Sequence, residues 1–242
     1  MKIHGLILLW FGFNQTGWFG HIRRKTMHEY EYVTKEEYGP VKDELIDLIK
    51  ALQNELRDYL TFQYTFVGSS SRNMITREAN GNRGYDFDVD LKINHPEEYA
   101  PSELKHLITN ALNRITFGYG YGFCEDSSRV ITIKKVDHWY SRIISSCDFA
   151  IVHEFHDRNK KPHYLYVYFN KTKNEYRWQE RSKEYTGLRE KEEKIKQADL
   201  WNEVREIYLE KKCLYSDDKK SRTLYAETIN EVFQLLENRG GK

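Results

Sequence analysis

Phe66-Val67-Gly68-Ser69-Ser70-Ser71 and, after a polar loop, Tyr85-Asp86-Phe87-Asp88-Val89-Asp90-Leu91 form the stretch on which the reading of this chain turns. The first part reads as the end of a strand followed by a tight Gly-Ser turn. The second reads as a strand with an acid at every other position. Side chains on a strand alternate faces, so Asp86, Asp88 and Asp90 share one face while Phe87, Val89 and Leu91 share the other. The apolar face suits a core. The acidic face calls for a cation, because carboxylates about 6–7 Å apart along a strand repel by about 2–3 kcal/mol per pair at an effective dielectric near 20. Carboxylate oxygens suit a hard divalent ion such as magnesium. A solvated edge strand would explain a bare Asp-x-Asp-x-Asp equally well; the Gly-Ser turn shifts the balance. Glycine lets a backbone approach a phosphate, and the N–H groups after it can form an anion-binding nest.

The flanks extend this core. Val41, Leu45, Leu48, Ile49, Leu52, Leu56 and Tyr59 recur at helical spacing and predict a helix over 40–60, with Pro40 in its first turn. Residues 61–67 alternate as a strand. Ser70, Ser71 and Asn73 suit the cap of a short helix running toward Thr76, and Gly81 and Gly84 mark a loop. A second helix is predicted over 101–115, a strand over 129–136, and a hairpin from 163–170 and 176–181 around Thr172-Lys173-Asn174. Another strand starts near Cys147 and opens with Asp148, a carboxylate on an otherwise apolar run, which demands either a cation or a solvent edge. Phe117-Gly118-Tyr119-Gly120-Tyr121-Gly122 reads as a loop or strand start, with a nucleobase platform as the sharper alternative. Strands and helices without regular alternation indicate an α+β fold rather than a doubly wound one.

Gly68-Ser69, Asp88-Val89-Asp90-Leu91 and the later Ser146-Cys147-Asp148-Phe149-Ala150-Ile151-Val152 together resemble the signature of the DNA polymerase β-like nucleotidyltransferase superfamily. That group includes oligoadenylate synthetases, bacterial cyclic-oligonucleotide synthases, CCA-adding enzymes, antibiotic nucleotidyltransferases and minimal toxin-type transferases. The resemblance spans roughly residues 62–152. It implies a small mixed sheet flanked by helices, and a magnesium- or manganese-dependent transfer of a nucleoside monophosphate from a nucleoside triphosphate to a hydroxyl acceptor, releasing pyrophosphate. Asp88 and Asp90 would hold two metal ions, Asp148 would bind the one beside the acceptor, and Gly68 and Ser69 would position the β- and γ-phosphates. The interval from Gly68 to Asp88 is longer than the pattern, through the polar insertion at 77–84, so Asp86 with Asp88 is the alternative pair.

Past Ser182 the composition turns charge-dense, with sparse apolar anchors at helical spacing: Leu188, Ile195, Leu200, Val204 and Ile207, then Tyr225, Ile229, Val232, Phe233 and Leu236. This predicts a C-terminal lobe of two or three helices. Lys211, Lys212, Lys219 and Ser221 lie near its polar break at 216–218. A solvated surface explains them, while the resemblance implies that a lobe helps hold the triphosphate, for which Lys212 and Ser221 are the candidates. The organisation expected is an N-terminal extension at 1–26, with Met27 as an alternative start, a catalytic core at 27–182 and the lobe at 183–242.

Bulk properties narrow the classes. The 242 residues carry a net charge of +1, so no global field draws in nucleic acid. Three cysteines without metal-type spacing suggest reduced thiols and a cytoplasmic setting. The apolar run at 6–13 is far short of the roughly 18–20 residues of a membrane span, and its positive charges follow it rather than precede it; no membrane partner is expected. His153 and His156 would point to opposite faces of a strand and lack further ligands, so zinc is not expected. The acceptor is not legible: small molecule, nucleotide, nucleic-acid end or protein side chain. A catalytically silent nucleotide-binding or protein-interaction module on the same scaffold is the alternative function.

Overall fold

The structure is a computed structural model, and it describes residues 28–180 and 187–240. The expected extension at 1–26 and the boundary at 182/183 lie outside those residues.

The first helix, α1 (Lys35–Leu56), follows a short strand, β1 (Tyr30–Tyr32), and starts one turn before Pro40. The cause is a capping box: Glu37 N donates to Thr34 Oγ1 at 3.3 Å, and Thr34 N donates to Glu37 Oε2 at 3.2 Å. Leu45, Leu48, Ile49, Leu52 and Leu56 are fully buried along one stripe, each burial being worth about 2 kcal/mol. After β2 (Phe62–Val67) a single 3-10 turn, Ser70–Arg72, replaces the expected longer helix. Asn73 ends it in the left-handed region at φ 56° and accepts the Tyr38 hydroxyl at 2.8 Å. The chain then enters β3 (Thr76–Glu78), which pairs antiparallel with β1. The start of the polar insertion is therefore strand rather than loop.

The acidic strand is β4 (Tyr85–Ile93), followed by α2 (Pro101–Ile115), β5 (Glu125–Asp126), β6 (Ile131–Asp137), β7 (Arg142–His156), β8 (Pro162–Asn170) and β9 (Glu175–Glu180). The sheet runs β2-β4-β7-β6-β5, with β8 on the distal half of β7 and β9 beyond it. Only β4 and β7 run parallel; the other pairs are antiparallel. α1 and α2 cover one face, over Phe62, Phe87, Leu91, Ile131, Cys147 and Phe149. Alternation along β4 and β7 leaves the other face to Asp86, Asp88, Asp90 and Asp148. The architecture is α+β, as the mixed element order indicated.

The helices α3 (Leu188–Gln197), α4 (Trp201–Tyr215) and α5 (Ser221–Gly240) share a second apolar cluster containing Ile195, Val204, Tyr208, Leu224, Ile229 and Val232. Met74 enters that cluster from the core at 1% exposure. The lobe thus grips the chain a few residues past the Gly-Ser turn. No described helix is long and apolar enough to cross a membrane.

Candidate active site

The turn explains its own glycine. Gly68 sits at φ 67°, and a Cβ there would run into the Asp88 carboxylate. Ser69 follows at φ −65°, ψ −34°, giving the change of hand from which successive N–H groups turn to one side as an anion nest. The turn is braced: Ser71 Oγ and Arg72 Nη1 both donate to Gly68 O, at 2.9 and 3.0 Å, and Met74 N donates to Ser69 O at 3.0 Å.

The acids lie beside it. β4 and β7 pair Asp88 with Asp148 and Asp86 with Ser146, while β2 sets Val67 opposite Asp88. Strand spacing places the backbones of Asp88 and Asp148 about 4.8 Å apart, and Asp86 about 6.7 Å along from Asp88. Asp86, Asp88, Asp148, Gly68 and Ser69 line one cavity of about 860 Å³ between the sheet and the lobe.

Asp90 does not line it. It keeps the parity of the other acids but lies two residues further from the turn, level with Thr65 and Ala150. It is 7% exposed, and its Oδ2 accepts the Tyr166 hydroxyl at 3.4 Å. The expected pair was Asp88 with Asp90, with Asp86 and Asp88 as the alternative; the pair that lines the cavity is Asp86 and Asp88, because the strand enters it from its Asp86 end. The aromatic segment at 117–122 is also elsewhere. It forms a 3-10 turn (Thr116–Tyr119) capping α2, and Tyr121 is buried in the core on the helix-covered face, so it offers no base platform to the cavity.

The lobe supplies the opposite charge. Lys212 and Ser221 both line the cavity, and Lys212 Nζ donates to Ser221 Oγ at 3.0 Å. Arg189 and Arg222 line it from the lobe, and Arg72 from the turn. Arg72 also stacks on the Tyr225 ring at 4.2 Å and lies 3.9 Å from Glu192. Sequence reasoning missed Arg72, Arg189, Arg222, Tyr208 and Tyr225; only the position of Arg72 directly behind the Gly-Ser turn was a usable signal.

Two groups carry opposed shifts. Burial raises the Asp148 carboxyl above its ordinary range; the Thr132 hydroxyl, 2.5 Å from Oδ1, opposes this, and the like charge of Asp86 adds to it. Burial lowers the Lys212 ammonium, with Asp86 the leading opposing charge. Each charge is penalised by desolvation, and a bound cation beside Asp148 with an anion beside Lys212 would relieve both.

The donor set fits a hard cation: three carboxylates around one polar cavity, all oxygen. In this side-chain arrangement no group of three His, Cys, Asp or Glu among the described residues closes into a metal cage. The outer carboxylates lean apart, Asp86 toward the Ser146 hydroxyl and Asp148 toward Thr132. That suits magnesium, which is typically held by one or two carboxylates and completed by substrate phosphates.

No protein-family model and no curated protein matches the sequence. Solved structures do match the fold. The STING-associated CdnE c-di-GMP synthase of Capnocytophaga granulosa aligns over 83% of this chain and 61% of its own, with TM-score 0.54 and 17% identity. The 3'-deoxy ATP-bound form of DncV from Vibrio cholerae aligns over 83% of this chain and 53% of its own, with TM-score 0.53 and 14% identity. The chain has a nucleotidyltransferase fold. It is the fold that the Gly-Ser and paired-acid pattern indicated, with a sheet carrying the acids and a helical part facing them. Against these synthases the nucleotidyltransferase-fold chain spans about three fifths and about half of their length.

Proposed function

We propose that this chain is a metal-dependent nucleotidyltransferase that moves a nucleoside monophosphate from a nucleoside triphosphate to a hydroxyl acceptor and releases pyrophosphate. The observation that carries the reading is the polarity of one cavity: three aspartates on the sheet side, Lys212, Ser221, Arg189 and Arg222 on the lobe side, and the Gly68–Ser69 turn between them, with the lobe's one lining acid, Glu192, facing Arg72 of the turn. A metal–triphosphate complex has the matching charge distribution. DncV, with the same fold, binds 3'-deoxy ATP.

In this reading the N–H groups after Gly68, together with Lys212 and Ser221, hold the β- and γ-phosphates. Magnesium or manganese, held by Asp86 and Asp88 with Asp148 beside them, would offset charge building on the α-phosphate and the departing pyrophosphate. The acceptor oxygen attacks the α-phosphorus in line, and the bond to the bridging oxygen of the β-phosphate breaks. Asp148 takes up or relays the hydroxyl proton. The assay is pyrophosphate release with α-labelled triphosphates and magnesium, across nucleosides, nucleotides, oligonucleotides and protein as acceptors. Asp88→Ala should lower release by about 10³-fold, the several kcal/mol that such metal chemistry supplies. Equal release from wild type and variant would overturn the proposal.

A further inference from the structure

We infer that Thr132 is a positioning residue for the reaction proposed above: its hydroxyl fixes one oxygen of Asp148, so that the other serves the metal side of the cavity. This rests on the nucleotidyltransferase reading and adds a residue to it. Thr132 faces Asp148 directly in the β6–β7 register, and its Oγ1 donates to Asp148 Oδ1 at 2.5 Å. The pair lies in one row with Asp88 across three adjacent strands. A carboxylate on a strand can swing about two side-chain torsions; a hydroxyl donated from the next strand removes that freedom before a cation arrives. Ser146 makes the equivalent contact with Asp86, so each of the two carboxylates leans on a cross-strand hydroxyl. Such outer partners of a ligating group commonly matter by about 10–100-fold in metal affinity or activity.

Thr132→Val keeps the shape and the β-branch that a strand favours but removes the donor; Thr132→Ser keeps the donor. The experiment is titration of Mn²⁺ into each protein by electron paramagnetic resonance, with a triphosphate analogue bearing a methylene between the α- and β-phosphates. Wild type and Thr132→Ser should bind Mn²⁺ alike. Thr132→Val should bind it about tenfold or more weakly, while its metal-free affinity for the analogue stays as in wild type. If Thr132→Val does not fold, Thr132→Ala provides the same comparison. Equal Mn²⁺ affinity in wild type and Thr132→Val overturns the role of Thr132 and leaves the functional reading standing. Failure of wild type to take up Mn²⁺ with the analogue overturns both.

Discussion

Asp86 and Asp90 are chemically identical and two places either side of Asp88, yet only one reaches the cavity. The alternating pattern puts all three on one face; it carries no information about where along the strand the turn of β2 ends. That is set by the pairing of Val67 with Asp88, a non-local contact. The long interval after Gly68 hid it, because residues 76–78 leave for a separate two-stranded sheet. Asp88, Asp148, Gly68 and Ser69 were legible because each breaks a local rule: acids on apolar strands, and a glycine in a strand-to-turn run. A comparison of Asp86→Asn with Asp90→Asn checks the assignment. Asp86→Asn should cut pyrophosphate release by about 10²-fold or more without changing the melting temperature. Asp90→Asn should keep release within about tenfold while changing the melting temperature, since Asp90 is a buried group. Gly68→Ala should cost about 1–2 kcal/mol for the left-handed backbone. It should lose far more activity than stability, because the added methyl meets Asp88.

At the scale of elements, helices announced themselves, but the start of α1 did not. The spacing over 101–115 gave α2 its bounds. α1 began earlier because Thr34 and Glu37 cap each other, which an apolar stripe does not reveal. Thr34→Ala should cost about 1 kcal/mol, readable in urea unfolding. The lobe was foreseen as helical, but the cavity-facing cations other than Lys212 were not. Their sequence neighbourhood is uniformly charged, and only packing around Met74 and Ile195 decides which face turns inward. Lys212→Met should raise the KM for nucleoside triphosphate about tenfold, the loss of roughly one charge-assisted contact, with a smaller effect on kcat. A kcat loss with KM unchanged would place Lys212 at the reacting phosphate instead.

For the whole molecule, the relation of lobe to sheet matters most, since each supplies half of the cavity. Arg72 on Tyr225 and Met74 in the lobe cluster join them near the turn. His28 joins them further out: Nδ1 lies 2.5 Å from Glu78 of β3, and Nε2 lies 2.9 Å from Asp217 between α4 and α5. Hydrogen bonds to Glu78 and then Asp217 raise the His28 pKa above its ordinary 6.5. A raised histidine stabilises the fold fully below its unfolded pKa and loses that contribution as pH rises through the folded one. The difference in melting temperature between wild type and His28→Gln should therefore be largest near pH 6 and shrink toward pH 9. A difference that does not change with pH would remove His28⁺ as a clamp.

All of this depends on a metal–triphosphate complex seated between the sheet acids and the lobe. The direct measurement is a crystal grown with Mn²⁺ and a non-hydrolysable triphosphate, read by anomalous scattering at the manganese edge. Manganese should be coordinated by Asp86 and Asp88, beside Asp148, with the terminal phosphates against Ser69, Lys212 and Ser221. Manganese held elsewhere, or a triphosphate bound without contact to the Gly68–Ser69 turn, would contradict it.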